Sequence, residues 1–255
     1  VPTPKPTPSA SLALTDGPAL AGVEPCPGTD ATFSAGDLAS DSSSNWSGYA
    51  TTASKRVVTC VESEWVQPKV ACHGSSTSSL SIWVGLGGFD QSSLEQIGTA
   101  ADCVAGVPLE YSWHEGLPRQ RHEIDSPVPI STGDRIWAQV RWIGGSSYQL
   151  SLANLTHPDG FTVKDTNKGL RRTEAEWIAE APSRCSTTCH VLPMPAFGKI
   201  TFDHIAVTIN GVRSTLMAAG FTRYRIRLLK GTTVRALVTS TSVDGSSFVV
   251  TWRHA

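Results

Sequence analysis

No apolar run in this sequence approaches the ~20 residues that a membrane-spanning helix needs. Neither sign of charge is in excess. Lys and Arg number 21 against 22 Asp and Glu, for a net charge of -1. That balance gives no electrostatic footing for nucleic acid or a membrane surface. There is no GxSxG elbow, no HExxH, no P-loop and no Rossmann glycine fingerprint. The 7 histidines include no two at metal-ligand spacing. The expectation is chemistry without a metal or cofactor. Helical patterning is almost missing too, and Ser214 to Ala219 is the one short helix candidate.

What is present begins with the 6 cysteines, an even number. Only Cys185-x3-Cys189-His190 comes near metal spacing, and no second cluster completes it. Disulfides are the better reading, and they imply an oxidising, secreted setting. Six cysteines allow fifteen connectivities. Cys185–Cys189 is the local candidate, with Cys72–Cys103 and Cys26–Cys60 the preferred arrangement of the others. The chain starts at Val1 rather than Met, which fits a chain already trimmed. Asn45-Trp-Ser47 and Asn154-Leu-Thr156 are glycosylation sequons, of consequence only in a eukaryotic source.

Residues 1–43 differ from the rest. Val1-Pro-Thr-Pro-Lys-Pro-Thr-Pro8 is proline-rich and extended, and Ser34 to Ser44 is small, polar and acidic. This reads as a leader, linker or residual prosegment, with Cys26 placed to pin it to the body. Residues 44–255 form the folded domain. Its pattern is β throughout. Strand-like runs include Trp46–Ala50, Arg56–Val66, Leu80–Leu86, Ser93–Thr99, Leu109–Glu115 and Arg135–Trp142. Arg135–Trp142 and Ser147–Leu152 read as a hairpin about Gly144-Gly145. Further runs at Gly198–Phe202, Ile205–Ile209, Tyr224–Leu229, Val234–Thr239 and Ser247–Trp252 close the chain. Many short strands with frequent turn signals predict an all-β sandwich or barrel.

One stretch is richest in chemistry: Glu174-Ala-Glu-Trp-Ile-Ala-Glu180-Ala-Pro182. As a strand it puts Glu176, Ile178 and Glu180 on one face and Trp177 and Ala179 on the other. Pro182 ends it. The bland alternative is a solvated acidic face, but solvated faces rarely alternate so tightly with apolar residues. Other polar residues set among apolar ones are Gln96 and Glu115.

Seven blocks occur in order: Asn45-Trp-Ser-Gly-Tyr49, Trp65-Val-Gln-Pro68, Trp83-Val-Gly-Leu-Gly-Gly88, Leu94-Glu-Gln-Ile-Gly98, Trp113-His-Glu115, Ala175-Glu-Trp-Ile-Ala-Glu180 and Pro195-Ala-Phe-Gly198. Together they resemble the glutamic peptidase (eqolisin) family, with a closer likeness to bacterial members than to fungal ones. The resemblance runs from about Asn45 to Phe202. It implies a secreted acid endopeptidase on an antiparallel β-sandwich of two bent sheets. It implies a catalytic pair at Gln96 and Glu180, and a substrate cleft that includes Glu115 and Trp83. Glu176 and Trp113 are taken as further substrate-binding candidates. The implied partner is a protein or peptide substrate, with no nucleic acid and no membrane, and the chain a monomer. One departure stands out: Gly87 occupies a position where most members carry Asp.

The implied chemistry is physically sensible. Imidazole, with a pKa of ~6.5, is already protonated in acid and cannot serve there as base. A carboxylate is still partly ionised, and a glutamine amide is uncharged at every working pH. Two rivals remain. A glycoside hydrolase needs two carboxylates ~5–9.5 Å apart. Glu176 and Glu180 on one strand stand roughly 13 Å apart, so only Glu115 with Glu180, on neighbouring strands, would serve. A lectin-like carbohydrate- or peptide-binding module would use the tryptophans as platforms. Gln96 separates the three readings, since only the peptidase needs it.

Overall fold

The computed structural model describes residues 23–31, 37–53, 57–73, 77–118, 121–123, 128–185, 187–217 and 221–254, without the side chains of 121–123 and 185. In chain order the strands are β1 (Thr29–Asp30), β2 (Asp37–Ser43), β3 (Trp46–Thr52), β4 (Val58–Val66), β5 (Ser78–Gly87), β6 (Leu94–Val104) and β7 (Val107–Leu117). Then come β8 (Arg121–Glu123), β9 (Arg135–Gly144), β10 (Ser147–Asn154), β11 (Asp159–Thr166), β12 (Glu174–Glu180), β13 (Ser183–Cys185) and β14 (Cys189–Val191). The last are β15 (Lys199–Ile209), β16 (Val212–Ser214), β17 (Thr222–Lys230), β18 (Thr233–Val238) and β19 (Phe248–Trp252).

The result is all-β, as expected. An outer sheet runs β1-β16-β15-β4-β9-β10-β11. An inner sheet runs β8-β7-β6-β5-β12-β3-β17, and β17 continues into β18, β19 and the start of β15. Strand β15 therefore belongs to both sheets. Its first residues pair with β19 and its later ones with β4, across a register shift between Asp203 and Ala206. The sequence reads this strand as two, Gly198–Phe202 and Ile205–Ile209. The irregularity at Asp203–His204, with His204 at a φ of 50°, explains the apparent break.

Two apolar clusters build the interior. The larger lies between the sheets and includes Trp65, Trp177, Tyr148, Phe202 and Phe248. The smaller, around Trp83, Leu94, Trp113, Ile178 and Ile226, lies on the opposite face of the inner sheet. The inner strands are consequently buried on both faces. That is why β5 and β6 read as nearly continuous apolar runs broken by a few polar residues. Removing Trp177, wholly buried between the sheets, would cost about 3–5 kcal/mol.

Two disulfides are in place, Cys26–Cys60 and Cys72–Cys103. Cys185 and Cys189 face each other across β13 and β14. Cys189 is disulfide-bonded, and the side chain of Cys185 is outside the described residues. Of the 1–43 segment, residues 1–22 and 32–36 are outside the described residues. Asp37–Ser43 adds a parallel strand beside β17, a pairing that its exposed, polar sequence gives no sign of. At the short helix candidate, Val212–Ser214 is strand and Leu216–Met217 a turn, while 218–220 are outside the described residues. Among the described residues there is no helix, so none that could cross a membrane.

Candidate active site

Strand β12 is flanked on both sides, by β3 and by β5. Its side chains alternate as the sequence predicts. Ala175, Trp177 and Ala179 enter the intersheet core, while Ile178 joins the cluster on the concave face with Glu180 beside it. That face forms an open cleft of about 1040 Å³. Gln96, Trp113, Glu115 and Glu180 all line it.

Glu180 is half-buried at the cleft floor. Its Oε1 accepts from Asn45 Nδ2 at 2.9 Å and its Oε2 from Trp83 Nε1 at 2.8 Å. Each carboxylate oxygen thus has one fixed donor, which sets its rotamer and leaves acceptor capacity facing the cleft. Burial raises the Glu180 carboxyl to about 7. The Trp83 and Asn45 donors, with a smaller contribution from Trp46, pull against that rise, and the nearby Glu115 charge adds to it.

The donors are themselves held. Trp83 has no exposed surface, and Trp46 packs against its indole edge-on, with centroids 5.0 Å apart. Asn45 accepts from Ser43 Oγ at 3.0 Å, and the Trp46 amide donates to the same hydroxyl at 3.1 Å. Trp83 is therefore a buried support for Glu180 rather than an open platform. Asn45, read in the sequence as part of a sequon, turns its amide inward. Asn154 of the other sequon is buried and bonded to Pro129 and Asp134.

Gln96 and Glu115 are register partners on β6 and β7. Gln96 Nε2 donates to Glu115 Oε2 at 2.7 Å. One of the two amide hydrogens is thereby fixed and the other left over. Gln96 Oε1 is buried with no hydrogen-bond partner. Between Trp83 and Trp113, in the same row, stands Gly98. A Cβ there would meet Ile82 O at 2.0 Å, so the strands approach only because this residue has no side chain.

Glu176 does not reach the cleft. It shares the face of Glu180, but it is 0% exposed and absent from the cleft wall. Neither carboxylate oxygen accepts a hydrogen bond among the described residues. Burial, then the charges of Glu174 and Asp90, raise its carboxyl well above the usual range. In this structure Glu176 therefore lies beneath the cleft rather than in its wall. Glu115 and Glu180 are not on neighbouring strands either, since β6 and β5 lie between β7 and β12.

Gly87 closes β5 at a φ of +86°. A Cβ there would be 2.3 Å from Leu170 Cδ1 and 2.5 Å from Ser93 O. An aspartate could not enter without moving both the Leu170 side chain and the backbone at Ser93.

The sequence model of the peptidase A4 family matches residues 44–252. The bent all-β sandwich is also the fold of the solved glutamic peptidases that it matches. The chain belongs to the peptidase A4 family, the glutamic peptidases (eqolisins), and is a glutamic endopeptidase. Among solved structures it is similar to scytalido-glutamic peptidase with a peptide-based transition state analog, at 24% identity and a TM-score of 0.70, covering 82% of this chain and 98% of that one. It is also similar to SCP-B, an eqolisin in complex with the tripeptide Ala-Ile-His, at 23% identity and a TM-score of 0.66, with the same 82% and 98% coverage. Aspergilloglutamic peptidase from Aspergillus niger aligns at 26% identity and a TM-score of 0.59, over 69% of this chain and 99% of that one. No curated protein matches the sequence.

Proposed function

We propose that the protein is a secreted endopeptidase that cleaves peptide bonds with a Gln96/Glu180 pair, working on the acid side of neutrality. The observation that carries this reading is the cleft geometry. A carboxylate held by two fixed donors and a carboxamide pinned by Glu115 face one open groove.

In this mechanism Glu180, as carboxylate, takes a proton from a water, and the water oxygen attacks the scissile carbonyl carbon. The leftover N–H of Gln96 donates to the oxyanion as the tetrahedral intermediate forms. Gln96 Oε1, otherwise unpartnered, orients the water. Glu180 then returns its proton to the leaving amine, and the C–N bond breaks. Every proton is accounted for by the water and one carboxyl.

A carboxyl at about 7 is ionised in roughly one molecule in a hundred two pH units lower. It is an effective base as the pH approaches that value. Ionising the buried Glu176 weakens the fold at higher pH. The first effect slows the reaction in acid, and the second costs stability as the pH rises. The disulfides support an oxidising, extracellular setting, and a peptide substrate fits the groove. The chain acts as a monomer in this reading.

The test is digestion of a denatured protein with pepstatin present. Replacing Gln96 by Ala should lower kcat about 10²–10³-fold without changing the thermal unfolding midpoint. Undiminished cleavage by Gln96→Ala would remove Gln96 from the catalytic pair and leave the peptidase with another oxyanion donor.

A further inference from the structure

Beyond the Gln96/Glu180 pair the cleft carries a second polar constellation. Glu180, Ser81, Ala100 and Tyr111 form one row across β12, β5, β6 and β7. Two residues further along these strands, on the same face, the next row is Ser79, Asp102 and Leu109. Ser79 Oγ donates to Asp102 Oδ1, and Tyr111 OH donates to Asp102 Oδ2 at 3.0 Å. Ser79, Asp102 and Tyr111 all line the cleft. Asp102 keeps part of its surface open, and no cation pairs with it among the described residues.

Three features point to what this carboxylate would take. Its two hydroxyl donors fix its direction without neutralising it, so its charge is presented rather than cancelled. Its register partner Leu109 is 56% exposed on the same face. An apolar shelf beside an anchored carboxylate suits a long aliphatic stem with a cationic head. The charged side chains of the cleft wall are also mostly acidic, with Asp41, Asp102, Glu115 and Glu180 against Arg184. The hydrolytic step itself uses none of Ser79, Asp102 or Leu109.

We propose that Asp102, held by Ser79 and Tyr111 and flanked by Leu109, is a specificity subsite for a Lys or Arg side chain of the peptide substrate. On a flat lattice of ~3.3 Å per residue and ~4.8 Å per strand, Asp102 lies about 12 Å from Glu180. That is about three to four residues of extended chain. The proposal rests on reading the cleft as a peptide groove.

The experiment uses peptides identical but for one Lys-to-norleucine exchange, scanned along the chain. For the wild type, kcat/KM for the Lys peptide over its norleucine twin should peak at about three- to fivefold, at one position three to four residues from the cleaved bond. The ratio should fall with salt. It should collapse to one in Asp102→Asn and shrink in Tyr111→Phe, a milder change that guards against misfolding of the first. A peak that survives Asp102→Asn, or wild-type cleavage with no preferred position, overturns the subsite. Binding of the same labelled peptides to Glu180→Gln separates this from the peptidase reading. Lys preference in binding without cleavage by the wild type keeps the subsite and removes the peptidase. Cleavage without Lys preference does the reverse.

Discussion

Glu62 and Glu64 on the outer sheet and Glu176 and Glu180 on the inner one are the same side chain in four strongly sheltered places. On the outer sheet they are fully engaged. Glu62 accepts from the Cys26 amide, Gln139 Nε2 and Arg213 Nη2, at 2.8, 2.9 and 3.0 Å. Glu64 pairs with Arg135 Nε at 2.5 Å. On the inner sheet no cation stands against either glutamate among the described ion pairs. Glu180 has two neutral donors, and Glu176 has none. The outer pair is structural cement. The inner pair is held close to its neutral form, one member open to the cleft and the other sealed below it. Burial alone does not make a reactive carboxyl; burial with the compensating charge withheld and an edge on the cleft does.

Removing cement should have the largest effect on stability. Glu62→Ala leaves the buried Cys26 amide and Gln139 Nε2 without their shared acceptor and Arg213 with Asp30 alone, and should cost about 3 kcal/mol. Thermal unfolding would read this as a drop of roughly 6–12 °C. A loss under 1 kcal/mol would erase the contrast between the sheets. Glu176→Gln should act in the opposite sense. The folded-state carboxyl is raised, so the native protein keeps a proton that the unfolded chain loses above about 4.5. Native stability therefore falls as pH rises through that window. The variant should match the wild type near pH 4 and gain on it by up to about 1.4 kcal/mol per pH unit above. Denaturant melts across pH would show the difference, and a constant offset would contradict it. The smallest effect belongs to Glu115→Gln. Losing that charge lowers the Glu180 carboxyl, so the rising limb of the pH–rate profile should shift to lower pH. A shift to higher pH would mean that the charge of Glu115 does not reach Glu180.

Much of this was legible in the sequence. The alternation in Glu174–Glu180 correctly separates Trp177 from Glu180, because a strand has only two faces. It could not separate Glu176 from Glu180, which share a face. What divides them is the far neighbourhood: Glu180 meets Asn45, 135 residues away, while Glu176 lies in the row of Gly85 and Ala50, with no donor. Asn45 was visible only as a sequon and as the head of a block, since nothing local marks a side chain as the partner of a distant acid. Strand β2 was hidden because an exposed edge strand needs no apolar alternation. Trp83 and Trp113 show the same limit. Their spacing marks them as important, but they stand in one row, and only the pairing of β5 with β12 makes Trp83 the donor to Glu180 while Trp113, two strands further, is cleft wall.

The measurement that tests the central claim most directly is the pH dependence of kcat/KM for wild type and Glu180→Gln on one peptide, with pepstatin present. The account predicts a wild-type rate that climbs about tenfold per pH unit and bends near 7. It predicts a variant slower by about 10²–10⁴-fold, with that limb gone and the fold intact. A variant that keeps the wild-type limb and rate would contradict it, and Glu180 would then be only a well-supported carboxylate in a groove.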